Sequence, residues 1–223
     1  MPRPEDTVEV GYSCGPNQLD FRVVGRTRAW NWHQGAMLQW ARRSLNIVFE
    51  GFGRAHVARI VDPRGNLVET LAPPVAAISP GGSRAPSYSS LRLRRAPYAY
   101  AYANGKDPES DHLVATNHGL HLMRLPSGDA ELLLAVAGIA ALVPQPSIKG
   151  AFHSFAHCQF CPSGGRFSFF HRWMQKGYLC WTRMISCDLD GAISTSSLPW
   201  TWFRMLHGAM MPCVGIRKCQ GVW

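Results

Sequence analysis

The chain has 223 residues, of which 46% are hydrophobic and 17% charged, and its formal net charge is +9 at pH 7. This composition excludes wholesale disorder, and its 21 glycines and 16 prolines are typical of many short strands joined by tight turns. The longest apolar run, residues 132–143, is shorter than the roughly 20 residues of a membrane-crossing helix, and the N-terminus lacks the apolar core of a secretory signal, so we expect a cytoplasmic protein without membrane contact.

Short apolar segments between turn residues predict antiparallel strands along most of the chain. Residues 1–24 are expected to be a lead-in, and residues 84–111, rich in Arg, Tyr, Pro and Ser, a long loop. In chain order the predicted strands cover residues 35–40, 45–49, 56–61, 67–71, 119–125, 130–134, 151–160, 166–172 and 182–187.

Two kinds of turn recur along the chain. The Pro-Gly-Gly corner at Pro80 returns as Pro-Ser-Gly-Gly at Pro162, and strands run into Gly turns at Gly65, Gly128 and Gly191, at equal intervals. Repeats of this kind predict a β-propeller. Because the intervals exceed the roughly 40–45 residues of a normal blade, we expect an all-β, incomplete β-propeller of about three irregular blades of antiparallel strands over residues 25–192. Self-association would close such a ring, and truncation is the alternative explanation.

The C-terminal stretch differs from the rest of the chain. Residues 192–223 contain no acidic side chain, show no regular apolar–polar alternation and are crowded with Trp, Met and Cys. We therefore expect residues 193–223 to be a divergent tail, either native or read in a shifted frame.

Several stretches resemble known bacterial propellers. Ile78-Ser-Pro-Gly-Gly resembles the Ser-Pro-Asp-Gly corner of TolB-type β-propellers, with Gly81, and later Ser163-Gly164, where that motif carries Asp-Gly. Residues 27–40, 56–62 and 167–173 resemble a family seen near polysaccharide genes and similar to oligogalacturonate lyases. The resemblance covers residues 25–192 and implies a propeller linked to bacterial polysaccharide metabolism. Members of that family look nearly twice as long, so the later blades are expected to be missing.

The resemblance also implies a metal site. Its candidate ligands lie in equivalent strand regions of two units, and they are His33, Gln34, His153, His157 and His171. Neutral imidazoles suit Mn²⁺, Fe²⁺ or Zn²⁺. As in oligogalacturonate lyases, Mn²⁺ or another divalent ion would acidify a proton beside a uronate carboxylate of an acidic oligosaccharide, which then undergoes β-elimination. Hydrogen-bonded core histidines are the alternative interpretation, and no catalytic base is assigned.

The basic segment 84–106 is a second candidate site. Charge and stacking could hold a polyanion through Arg92, Arg94, Arg95, Tyr98 and Tyr100. A solvated charged loop is the favoured alternative, and nucleic acid is the less expected partner.

Two cysteines, Cys158 and Cys161, have the spacing of a zinc half-site. Residues three apart on a regular strand point to opposite faces, so we expect small buried residues rather than a metal pair.

These patterns favour a non-catalytic binding or interaction module, or a remnant of one, over an enzyme. A metal-dependent polysaccharide lyase and polyanion binding through residues 84–106 are the alternatives.

Overall fold

The structure is a computed structural model, which describes residues 2–14, 20–41, 44–95, 100–175 and 180–193, together with the backbone of Phe203–Met205. This part of the chain is all-β and forms four small antiparallel sheets. The strands are β1 (Val8–Tyr12), β2 (Arg22–Thr27), β3 (Gln39–Ala41), β4 (Asn46–Phe52), β5 (His56–Val61), β6 (Leu67–Leu71), β7 (Arg84–Ser87), β8 (Gly119–Arg124), β9 (Ala130–Ala135), β10 (Phe152–Phe160), β11 (Arg166–Met174), β12 (Cys180–Asp188) and β13 (Phe203–Met205). The helices are short: α1 (Val136–Ala141) and two 3₁₀ segments, Ser90–Arg95 and Pro146–Ile148.

Each sheet is built from strands that follow one another in sequence. The sheets are β1–β2, β3–β4–β5–β6, β7–β8–β9 and β10–β11–β12–β13, and every pairing is antiparallel. Local turn chemistry explains this order. In the β5–β6 hairpin, the Asp62 carboxylate accepts hydrogen bonds from the N–H groups of Arg64 and Asn66, and Gly65 adopts a φ of 89°. Asp favours this turn because its carboxylate accepts hydrogen bonds from nearby N–H groups. Gly favours it because, without a Cβ, it tolerates a positive φ.

Apolar clusters join the sheets face to face in chain order. Val10 and Val24 of the first sheet pack against Phe49 of β4, whereas Val48, its neighbour in sequence, packs on the opposite face toward Met123 of β8. Successive residues of a strand point to opposite faces, so β4 is buried on both sides. The third cluster joins β8 and α1 to β10, β11 and β12, and includes Leu120, Ile139, Phe155, Phe167, Phe169 and Ile185.

The strand predictions hold best where a tight turn defines the ends. The β5–β6 hairpin begins and ends where the sequence predicted. The prediction of a strand at residues 35–40 was wrong in extent, since strand pairing begins at Gln39. Residues 31–35 form a turn instead, which the backbone groups of Asn31 and Gly35 close with reciprocal hydrogen bonds of 3.0 and 3.1 Å.

Two further segments differ from expectation. The predicted lead-in at 1–24 contains β1 and the start of β2, which form a sheet that packs on the next one. The predicted loop at 84–111 begins with β7 and the 3₁₀ helix Ser90–Arg95, and it buries Leu93 and Tyr102.

The predicted tail at 193–223 lies largely outside the described residues. Its described part is Ile193, which bridges to Cys187, and β13, whose backbone pairs with residues 180–182 of β12.

The described part of the chain contains no helix with both the length and the apolar character that a bilayer crossing requires.

Candidate functional site

A cleft of about 610 Å³ lies where three of the sheets meet. Its walls come from residues 37–40, which lead into and include the start of β3, from residues 76–80 before β7, and from residues 158–162 at the end of β10. Each of these sheets therefore contributes its first strand, or the residues next to that strand, to one shared opening.

The walls of the cleft combine amide and aromatic side chains with aliphatic ones such as Met37, Leu38 and Ile78, and the described lining residues carry no charge. Amide side chains come from Gln34, Gln39 and Gln159. The Trp40 side chain is 46% exposed, and Tyr12 holds one edge of it with ring centroids 5.2 Å apart and planes at 68°. An indole with fixed orientation beside amide donors and acceptors suits a ligand with both polar groups and a flat apolar face.

A β-bulge shapes the wall formed by β10. The register to β11 shifts between Ala156 and Gln159, and His157 within the bulge has a φ of 56°. A bulge inserts one residue and redirects the side chains that follow. Cys158 lies in this bulge and Cys161 lies just after the end of β10, where strand alternation no longer applies, and both border the cleft.

The two thiols differ in their surroundings. Burial raises the pKa of Cys158. Burial also acts on Cys161, but the Ser163 hydroxyl at 3.1 Å and nearby backbone N–H groups outweigh it and lower the pKa of Cys161. The expectation that both are buried was wrong in extent, because both residues are partly exposed.

Behind the cleft lies a buried carboxyl group that the sequence analysis missed. Glu50 of β4 is 6% exposed, and its Oε2 atom has no hydrogen-bond partner. Burial raises the pKa of Glu50 to about 8, against the opposing effect of a hydrogen bond from the Tyr102 side chain. A single Glu within the apolar strand sequence Asn-Ile-Val-Phe-Glu-Gly-Phe was the signal that could have revealed it.

Tyr88 connects this carboxyl group with the cleft. The Tyr88 hydroxyl accepts a hydrogen bond from the His157 N–H at 3.3 Å and interacts with the Gln34 side chain, which lines the cleft. The Glu50 charge adds to burial in raising the pKa of Tyr88. Tyr88 therefore interacts with the Gln34 side chain of the cleft wall and lies within range of the Glu50 charge, whereas the hydrogen-bond partner of Glu50 is Tyr102.

Two of the predicted metal ligands form a separate buried pair. His153 Nδ1 and His171 Nε2 are 2.8 Å apart, and both side chains are fully buried. Arg183 Nε donates a hydrogen bond to His171 Nδ1 at 2.9 Å, and the Arg183 Nη2 group donates to the Ile139 carbonyl.

This chain of contacts fixes the protons on the two rings. Because His171 accepts at Nδ1, its proton lies on Nε2 and is donated to Nδ1 of His153, whose own proton then lies on Nε2. Burial lowers the pKa of His153 to about 4 and that of His171 well below its ordinary value, with Arg183 adding to both effects. Neither ring keeps a lone pair for a metal ion, so this pair does not fit a metal centre.

The other predicted ligands lie elsewhere. His33 and His157 both contact the Tyr100 ring, at centroid distances of 4.7 and 5.2 Å, and the Arg172 guanidinium lies 4.8 Å from the same ring. Burial and Arg172 lower the pKa of His157 to about 4. Within the described residues, no group of three or more His, Cys, Asp or Glu side chains is arranged to hold a metal ion. A site for Mn²⁺ or another divalent ion that includes His33, Gln34 or His157 stays a prediction.

The arginines of the basic segment stabilise its fold. Arg92 is buried and donates hydrogen bonds to the carbonyl groups of His153, Glu109 and His112, and Arg94 donates to those of Tyr102 and Gly105. The expectation of a solvated loop was wrong for these two side chains.

The other members of the predicted polyanion site are arranged differently. The Arg95 side chain is 42% exposed and stacks on Phe152 at 4.8 Å, whereas Tyr100 lies against Arg172. Tyr98 lies outside the described residues. Polyanion binding by this segment stays a prediction, with Arg95 as the exposed cation among the described members of the predicted site and Lys106 exposed nearby.

The chain matches no protein-family model, and no curated protein matches it. Its function is therefore argued from the cleft and the groups around it.

Proposed function

We propose that this protein is a propeller-type binding module that holds an oligosaccharide in the cleft between its sheets. The observation that carries the proposal is the convergence of three sheets on one cleft. In a propeller, blades of antiparallel strands pack face to face around an axis, and their first strands border the central channel. The sheets β3–β6, β7–β9 and β10–β13 follow that order, which supports a propeller-type architecture. The TolB-like family and a role in bacterial polysaccharide metabolism are proposed from the sequence resemblance.

The lining of the cleft supports a sugar as the ligand. Gln34, Gln39 and Gln159 can each donate and accept hydrogen bonds, as neighbouring hydroxyl groups of a sugar require. The exposed indole of Trp40 offers a flat surface for the apolar face of a sugar ring. Since the described lining is uncharged, we expect neutral sugars to bind at least as well as the acidic oligosaccharides that the sequence suggested.

Binding is better supported than β-elimination. The described residues that line the cleft include no carboxylate, imidazole or amine that could remove a proton from a bound sugar. The metal-dependent lyase stays a prediction.

Calorimetric titration with neutral and uronate-containing oligosaccharides tests the proposal. We expect binding to the wild-type chain and a loss of about tenfold or more in Trp40→Ala, because a central aromatic contact is removed. Trp32→Ala is the matched control, since Trp32 is 71% exposed and lies outside the cleft lining. Gln159→Ala provides a second cleft variant that leaves the packing of Tyr12 and Trp40 intact.

Absence of binding to every saccharide would reject the proposal. Equal losses in Trp40→Ala and Trp32→Ala, with no loss in Gln159→Ala, would place the ligand outside the cleft.

A further inference from the structure

Glu50 is an uncompensated buried acid. On β4 it shares one face of the sheet with Phe52 and His56, because Phe52 pairs with His56 and side chains alternate along a strand. His56 of this face contacts the Tyr102 ring and Ser90, the Tyr102 hydroxyl is hydrogen-bonded to the Glu50 carboxyl group, and Tyr88 lies within range of its charge. A carboxylate buried among phenols lacks the cation that normally accompanies a buried charge.

A second connection runs from Glu50 to the cleft through the backbone. The Glu50 N–H donates to the Ala36 carbonyl at 2.8 Å, and the Gln34 N–H in the same turn donates to Asn31 Oδ1 at 2.7 Å. Met37, directly after the turn, borders the cleft and has a φ of 53°. The cleft wall formed by residues 34–37 is therefore attached to Glu50 through its main chain and, via Tyr88, through its side chain.

We propose that Glu50 in its neutral form supports the cleft wall at Gln34, and that loss of its proton to solvent at alkaline pH disturbs this wall and weakens ligand binding. The proposal rests on the cleft being the binding site. In this proposal, the protonation state of Glu50 regulates ligand binding in the cleft.

The mechanism follows from the groups around the carboxyl group. An ionised Glu50 accepts hydrogen bonds more strongly; its present donor is the Tyr102 hydroxyl, and the Tyr88 hydroxyl lies within range of its charge. If Tyr88 turns toward the charge, its interaction with Gln34 is lost.

The cations near this region offer little compensation. His56 contacts the Tyr102 ring, but burial, with Arg94 adding to it, lowers the pKa of His56, so its ring is neutral. Arg94 itself donates to the backbone carbonyls of Tyr102 and Gly105. A negative charge on Glu50 therefore acts mainly on the phenol groups of Tyr102 and Tyr88.

The proposal is tested by nuclear magnetic resonance titration without any ligand. We expect the side-chain amide resonance of Gln34 to shift with a midpoint near pH 8, as the ¹³C carboxyl resonance of Glu50 does. Glu50→Gln keeps the shape and removes the proton exchange, so the Gln34 shift should disappear. Glu9→Gln is the matched control, because Glu9 is an exposed acid of β1 paired with Arg26 and its change should leave the Gln34 titration unaltered.

The Tyr88→Phe variant distinguishes the side-chain connection through Tyr88 from the main-chain connection through Ala36. If the side-chain path carries the effect, Glu50 still titrates in this variant whereas the Gln34 amide no longer follows it. A Gln34 resonance that is insensitive to pH in the wild type, or that titrates equally in Glu50→Gln, overturns the proposal. Because no saccharide is used, this outcome is independent of whether an oligosaccharide binds in the cleft.

Discussion

The interior holds two buried polar clusters that differ in how their polar atoms are hydrogen-bonded. In the β10–β12 sheet, Arg183 donates to the Ile139 carbonyl and to His171, and His171 donates to His153, whose buried Nε2 atom has no hydrogen-bond partner. Behind the cleft, Glu50 faces Tyr102 and Tyr88, and one of its carboxyl oxygens has no hydrogen-bond partner.

Each cluster leaves one buried polar atom unpaired, a ring nitrogen in one and a carboxyl oxygen in the other, and they differ in that the carboxyl cluster lies next to a residue of the cleft wall. The histidine cluster places a guanidinium donor against a ring acceptor, so its rings are neutral and their lone pairs are used. The carboxyl cluster keeps an unused acceptor and continues through Tyr88 to a side chain in the cleft wall. Buried polar groups that are not fully bonded are costly, and they are found where function requires them.

The largest effect should come from breaking the histidine cluster. Arg183→Met removes the donors to His171 Nδ1 and to the Ile139 carbonyl while keeping an apolar stem of similar length. His171 Nδ1 is then left without a donor, whereas the Ile139 carbonyl keeps its hydrogen bond from the Leu142 N–H at 3.2 Å, so we expect the unfolding free energy to fall by about 3 kcal/mol. Urea denaturation at pH 7 measures it.

Arg26→Met is the control for that variant. Arg26 lies at the surface in an ion pair with Glu9 at 2.6 Å, and exposed pairs contribute about 0–1 kcal/mol. Equal losses in the two variants would show that the buried cluster does not stabilise the fold through its hydrogen bonds.

Acid should weaken the same cluster through its histidines. The pKa of His153 falls from its ordinary value of 6.5 to about 4 on folding, so the unfolded chain binds more protons between these values. Stability from this group is present above pH 6.5 and is lost as pH falls, by about 2 kcal/mol at pH 4.5.

This measurement requires the Glu50→Gln background. Glu50 acts in the opposite direction over the same interval, because its pKa rises on folding and stabilises the fold toward acid. Denaturation midpoints of Glu50→Gln should fall between pH 6.5 and 4.5. A flat curve would mean that the two rings are not neutral in the folded protein.

The sequence predicted the strands better than it predicted these clusters. Turn chemistry is local, so the Asp62 turn defined its hairpin correctly, and the repeated corners indicated an all-β chain. The turn at residues 31–35 was missed because its closure depends on main-chain hydrogen bonds and on Asn31, whose side-chain oxygen accepts from the N–H groups of His33 and Gln34.

The candidate site depends on contacts between distant segments. His153 and His171 were chosen as ligands of one ion together with His33, but their cross-strand pairing and Arg183 decide their role, and neither follows from spacing. Glu50 was overlooked because a carboxylate in a strand is expected to face solvent, whereas the packing of distant segments on β4 buries it. A sequence pattern predicts on which face of a strand a side chain lies. It does not predict which distant segment packs against that face, because that depends on the whole fold.

Alkaline pH should weaken the carboxyl cluster by a smaller amount. With a folded pKa of about 8 and an ordinary value of 4.5, Glu50 stabilises the fold fully below pH 4.5, and this stability is lost as pH rises toward 8. Between pH 6.5 and 8 we expect the wild type to lose about 1.5 kcal/mol, whereas Glu50→Gln should be nearly constant. Thermal or urea unfolding in matched buffers measures both. Parallel curves for the two proteins would mean that another group causes the loss.

The smallest effect on the unfolding free energy should come from breaking an ion pair of a partly exposed arginine in the same sheet. Arg166 of β11 forms two hydrogen bonds of 2.8 Å with Asp188 of β12, and both side chains are partly exposed. We expect Asp188→Asn to cost about 0.5 kcal/mol, since water screens such a pair even when its geometry is bidentate. The difference from wild type should shrink in 1 M NaCl, where the screening length is about 3 Å. A loss that equals that of Arg183→Met, or that resists salt, would show that burial is not what separates these two arginines.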